Sequence, residues 1–172
     1  MKTLSTLSRR FDACVTLILK WACILLFVAL SLVLSGNILQ RILPFLSMQW
    51  FDEVVELMFA ALVFYGAAAL WVTHGHFSVG DWISQRIHNT RARHAYRLLV
   101  EVLSLCFMLV FLFNAYDIVI RAQEITNNLM LPKSMLYACM PIAAAIMSLY
   151  SLRNVCVELA LLLNPRWADD MV

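Results

Sequence analysis

The chain has 172 residues, 63% of them hydrophobic and 14% charged, with a mean hydropathy of +0.80 and a formal net charge of +2. Soluble domains carry about 45–50% apolar and about 25% charged residues, so this composition excludes an ordinary soluble domain and leaves no length for one beside several membrane spans. With so small a net charge, the placement of the charges matters more than their sum, and no nucleic-acid partner is expected.

The first residues, MKTLSTLSRRFDA, are polar and carry Lys2, Arg9 and Arg10. A first span is predicted at about 13–35, long enough against the ~20 residues that cross the hydrocarbon core. Its one charge, Lys20, lies two turns in and is expected to snorkel back to the headgroups. A secretory signal peptide is the competing reading, with a basic start, apolar Trp21–Leu34 and small Ser35–Gly36. A retained span is the expectation, because the apolar stretch begins upstream of Trp21 and three further spans follow.

Residues 36–49 link the first two spans and carry Asn37, Arg41 and the helix-limiting Pro44. Ile38, Leu39, Ile42, Leu43 and Leu46 recur at helical spacing, which predicts that part of this link lies in the interface. Trp50 marks the membrane edge, and Asp52, Glu53 and Glu56 open a second span at about 54–73 that is free of charge from Leu57 to Val72. The connector from His74 to about Arg97 is the most polar part of the chain. Within it Val79, Trp82, Ile83 and Ile87 form an apolar stripe, with Gln85, Arg86 and His88 on the other side. This predicts a short amphipathic helix on the membrane surface, with Trp82 and Arg86 as interfacial anchors to lipid.

A third span is predicted at about 98–120, a polar loop at Arg121–Pro132, and a fourth span at about 134–152. Val155, Leu159 and Leu162 extend the last helix before Asn164–Pro165 ends it. The expected fold is therefore all-α and integral to the membrane, one domain over residues 1–172 with four transmembrane helices. Lys2, Arg9, Arg10, Lys20, Arg86, Arg91, Arg93, Arg97, Arg153 and Arg166 fall on one side of it, and Arg41, Arg121 and Lys133 on the other. The positive-inside rule then places both termini and the connector in the cytoplasm and the other two loops outside.

The residues that would carry chemistry are missing from the positions that need them. All four histidines lie in the predicted connector rather than facing one another within spans, as haem ligation in a bundle needs. The five cysteines show no C-x-x-C and none lies in an outward loop, which argues against a disulfide oxidoreductase. No phosphate loop or nucleophile motif is present. No enzyme activity and no cofactor is expected. The ionisable groups sit near the ends of spans: Glu101 is four residues from Arg97, and Asp117 four from Arg121. Glu56, about one turn inside, is the group best placed to bond across to another helix or chain. Ala60, Ala61, Gly66, Ala67, Ala68 and Ala69 in the second span, and Ala138, Ala143, Ala144 and Ala145 in the fourth, permit close backbone approach. They serve either packing within the chain or association with a larger membrane protein.

These residues also carry a resemblance. Asn37 and Arg41 after the first span, Trp50-Phe51-Asp52-Glu53 at the start of the second, Phe59, Leu62-Val63-Phe64-Tyr65-Gly66-Ala67-Ala68 in its core, and His76 with Val79 after it stand in an order similar to the small membrane subunit (Q, or DctQ-type) of tripartite ATP-independent periplasmic (TRAP) transporters. Leu131-Pro132, Tyr137 and Pro141 fit the same pattern, and the resemblance covers roughly residues 30–150. Glu56 stands where the family often has an arginine, Gly80 splits the Val-Asp pair, and Lys133 follows the proline where an uncharged residue is more usual.

The resemblance implies a large membrane subunit that carries an organic acid (a C4-dicarboxylate, a sialic acid or another sugar acid) with sodium, and a periplasmic substrate-binding protein that delivers it. It implies a bacterial inner membrane and a scaffold role without a substrate site. Trp50, Glu56, Phe59, Gly66 and Ala67 are then the expected partner-helix contacts, and Arg41, Asp52 and Glu53 the expected periplasmic docking residues. A stand-alone four-helix channel former or assembly factor is the alternative.

Overall fold

A computed structural model describes residues 2–42, 50–73, 86 and 90–163. Four helices in it are long and apolar enough to cross a membrane: α1 (Lys2–Ile42), α2 (Phe51–Val72), α3 (Thr90–Arg121), and α4 (Lys133–Tyr137) continued by α5 (Cys139–Leu163) as one span. Among the described residues there is no strand beyond one isolated bridge. The expected surface helix with Val79, Trp82, Ile83 and Ile87, the histidines His74, His76 and His88, and the breaks at Pro44 and Asn164–Pro165 lie outside the described residues. Arg86 lies within them, helical and exposed.

Several helix bounds differ from those expected. The first helix does not stop at Ser35 but runs through Gly36 to Ile42. Its hydroxyls help: Ser31 Oγ donates to Phe27 O and Ser35 Oγ to Ser31 O, each at 2.8 Å, so neither meets lipid with an unused donor. The apolar stretch Asp12–Gln40 is 29 residues, about 43 Å against a core of about 30 Å, so it tilts or projects beyond the core. The third helix starts at Thr90 rather than near Leu98, which brings Arg93, His94 and Arg97 onto a regular helix. Pro141 accounts for the break between α4 and α5, since its ring crowds the carbonyl of Tyr137 and it has no N–H to bond it. The next hydrogen bond, Ile142 N–H to Ala138 O, is stretched to 3.4 Å.

The helices do not pack in simple sequence order. The close helix pairs are α1–α2, α2–α5 and α3–α5. The central pair is therefore α2 and α5, running the same way, with α1 against α2 and α3 against α5. In the most apolar window of the last span 44% of residues are buried, against 11% in each of the other three, which makes it the hub. Small side chains explain why: Ala61 and Ala68 of α2, and Ala143, Ala144, Ser148 and Ser151 of α5, are all buried. Without a Leu-sized side chain between them, two helices in lipid gain close van der Waals contact that tails cannot match. Leu19 of α1 and Met108 of α3 close the cluster formed by Ala68, Val72, Ala143 and Met147, and Phe64 stacks on Phe111 at 6.0 Å to join α2 to α3.

Candidate functional site

At the end of the bundle where α2 begins, the loop from Ala122 to Pro132 is folded into a small hairpin. Thr126 N–H donates to Leu131 O and Lys133 N–H to Glu124 O, each at 2.8 Å, and Leu131 N–H donates to Thr126 Oγ1 at 3.0 Å. Glu53 anchors its tip. One carboxylate oxygen accepts the Asn128 N–H and the other the Leu129 N–H, both at 2.9 Å. The Glu53 carboxylate, expected as a docking group at the start of the second span, thus satisfies loop amides that no ladder reaches. The tip carries strain: Met130 has φ 56°, a left-handed backbone that costs a residue with Cβ about 1–2 kcal/mol. Its side chain is 75% exposed and that of Ile125 59%, so the hairpin displays two apolar groups on a backbone held in one shape.

Along α2 the exposed side chains form one line. Asp52, Glu56, Phe59, Val63 and Leu70 are exposed and the rest of Phe51–Val72 is not. Gly66 completes the spacing, and a Cβ built there would meet nothing within 4 Å. Of the residues expected to meet a partner helix, Glu56, Phe59 and Gly66 share this line. Trp50 stands at its head, half-exposed, whereas Ala67 packs against the chain's own core cluster. Of the expected docking residues, Asp52 is on the exposed line, Glu53 turns to the hairpin, and Arg41 lies in the last turn of α1, its side chain outside the described residues.

The opposite end is tied by ion pairs the sequence did not reveal. Asp12 of α1 accepts from Arg153 at 2.6 and 2.7 Å and from the Tyr150 hydroxyl at 3.0 Å, both on α5. His94 of α3 meets Glu158 of α5 at 2.9 Å, with Arg97 at 4.0 Å from the same carboxylate. Just above these, Trp71 Nε1–H donates to Ser151 Oγ at 3.0 Å, joining α2 to α5. Asp117 and Arg121, expected as a pair, do meet at 2.8 Å. Apart from Asp117–Arg121, the hydrogen-bonded partners at this end lie 64 to 141 residues apart, beyond any local window of sequence, so only a long-range contact map would reveal them.

Four long apolar helices, polar groups bonded to one another toward the ends, and a central pair joined through small residues define a polytopic helical membrane protein. A family model described as "Tripartite ATP-independent periplasmic transporters, DctQ component" matches residues 30–161. The chain belongs to that family, the small membrane component of TRAP transporters, which is a transporter component rather than an enzyme. No curated protein matches the chain in sequence.

Proposed function

We propose that the chain is the non-conducting scaffold subunit of a sodium-coupled TRAP-type importer of an organic acid, a C4-dicarboxylate, a sialic acid or another sugar acid, in a bacterial inner membrane. The observation that carries this reading is the empty middle of every span. No Asp, Glu, Lys, Arg or His occurs in 21–40, 57–73, 102–116 or 134–152, where a carrier or proton relay places its ionisable groups. The large membrane subunit carries solute and ion, and this chain packs against it.

The ten-to-three split of basic residues supports an arrangement with both termini inside. The Glu53-anchored hairpin is then periplasmic, and with Asp52 and Arg41 it offers a surface to the substrate-binding protein. Trp82 and Arg86 anchor the connector in the cytoplasmic headgroups. The test is uptake of labelled organic acid into proteoliposomes under an inward sodium gradient. Uptake is expected only with both membrane subunits and the binding protein present. Uptake by this chain alone would overturn the scaffold reading.

A further inference from the structure

The exposed line on α2 is spaced like a coiled-coil seam. Asp52, Glu56, Phe59, Val63, Gly66 and Leu70 are separated by four, three, four, three and four residues, the alternation that keeps one face turned toward a single helix along its length. Among the described residues no helix covers this seam, since α1 and α5 pack on the other faces of α2, where Ala61, Ala68 and Val72 are buried. Exposed Phe59, Val63 and Leu70 alone would suit lipid. Glu56 does not. The 22 residues of α2 span about 33 Å, close to the thickness of the hydrocarbon core, so a carboxylate five residues from its start lies about 7 Å along the helix and below the membrane edge. A charge there requires a partner rather than acyl chains. Lys133 is within electrostatic reach, but its ammonium is held by Glu124 at 2.5 Å.

We infer that this seam is the docking face for one transmembrane helix of the large membrane subunit, and that this helix presents a Lys or Arg at the level of Glu56 and a bulky side chain that fills the notch at Gly66. The inference rests on the scaffold reading above and names the partner's chemistry. Charge decides against a second copy of this chain. In a parallel pair of α2 seams Glu56 would face Glu56, and in an antiparallel pair centred on Ala61 it would face Gly66, which offers no donor. A helix with a cation at that level satisfies Glu56, and its side chain enters the open space that Gly66 leaves.

The test places the photo-cross-linker p-benzoylphenylalanine at Phe59, Val63 or Leu70 on the seam and at Phe107 or Phe113 on the exposed face of α3. The full-length chain is co-expressed with an epitope-tagged large subunit. Cross-links to the tagged subunit are expected from the three seam positions and not from the two α3 positions. Glu56→Arg should lower the yield of co-purified large subunit at least about tenfold, and an acidic substitution of the facing cation should restore it. Seam cross-links to a second copy of this chain, or cross-links from α3 alone, would overturn the inference while leaving the scaffold reading intact. Failure of the unsubstituted chain to co-purify with the large subunit would take down both.

Discussion

Trp71 and Ser151 meet at 3.0 Å across the contact between α2 and α5, and the serine has no exposed surface at all. The hydroxyl is small enough to let α2 and α5 approach and polar enough to take the indole N–H, which fixes the rotation of one helix against the other. Ser151→Ala keeps the size and loses the bond, a cost of about 1 kcal/mol. Ser151→Leu overfills the contact and should cost more, about 1–3 kcal/mol. Thermal unfolding in detergent should therefore rank Leu below Ala below the unsubstituted chain. Equal midpoints for Ala and Leu would mean the helices are not held as closely as the burial implies.

Glu53 fixes the hairpin rather than the helix it belongs to. Glu53→Leu removes both acceptors of the Asn128 and Leu129 amides, and hydrogen exchange at these two amides should accelerate at least about tenfold. Glu53→Gln retains one carbonyl oxygen and should fall between. Exchange that is unchanged in the leucine variant would show the hairpin to be held by its internal bonds alone.

Gly66 and Ala67 are neighbours with opposite environments, and their substitution should separate folding from assembly. A leucine at 67 enters the chain's own core cluster and should lower the unfolding temperature. A leucine at 66 points into open space and replaces a glycine, which weakens a helix interior through its conformational entropy. Gly66→Leu should leave the isolated chain as stable as before, or about 0.5–1 kcal/mol more so, while abolishing recovery of the large subunit.

The base of the hairpin has a defined pH response. The hydrogen bond from Lys133, and then its charge, hold the Glu124 carboxyl below the usual carboxylate range. A carboxyl lowered in the folded state contributes fully above its ordinary pKa of about 4.3 and loses that contribution as pH falls through its folded value. The pair is solvent-exposed, so the effect is local and weakened by salt. Protection of the Lys133 amide, bonded to Glu124 O, taken relative to its intrinsic exchange rate at each pH, should fall as pH drops below the ordinary carboxylate range, and Glu124→Gln should remove that fall. A pH response that persists in the Gln variant would assign it to another group.

Composition and pattern alone determined that the chain crosses a membrane in four helices, because a run of twenty apolar residues has few other solutions in water. Pattern also singled out α2, whose residues from Trp50 to Ala68 carry the family signature, whereas the line from Asp52 to Leu70 emerged only from the exposure of each side chain in the folded chain. Tertiary structure decided which small residues face inward and which face out. Ala61, Ala67, Ala68 and Gly66 are alike in size, and only the placement of α1 and α5 around α2 separates the first three from the last. It also decided the use of each charge. Glu53 binds a loop some seventy-five residues away, Asp12 binds Tyr150 and Arg153, and His94 binds Glu158. Nothing local specifies such partners, because a long-range pair depends on helix order, and the α1–α2–α5–α3 order follows from shape complementarity among side chains whose hydrophobicity is nearly the same.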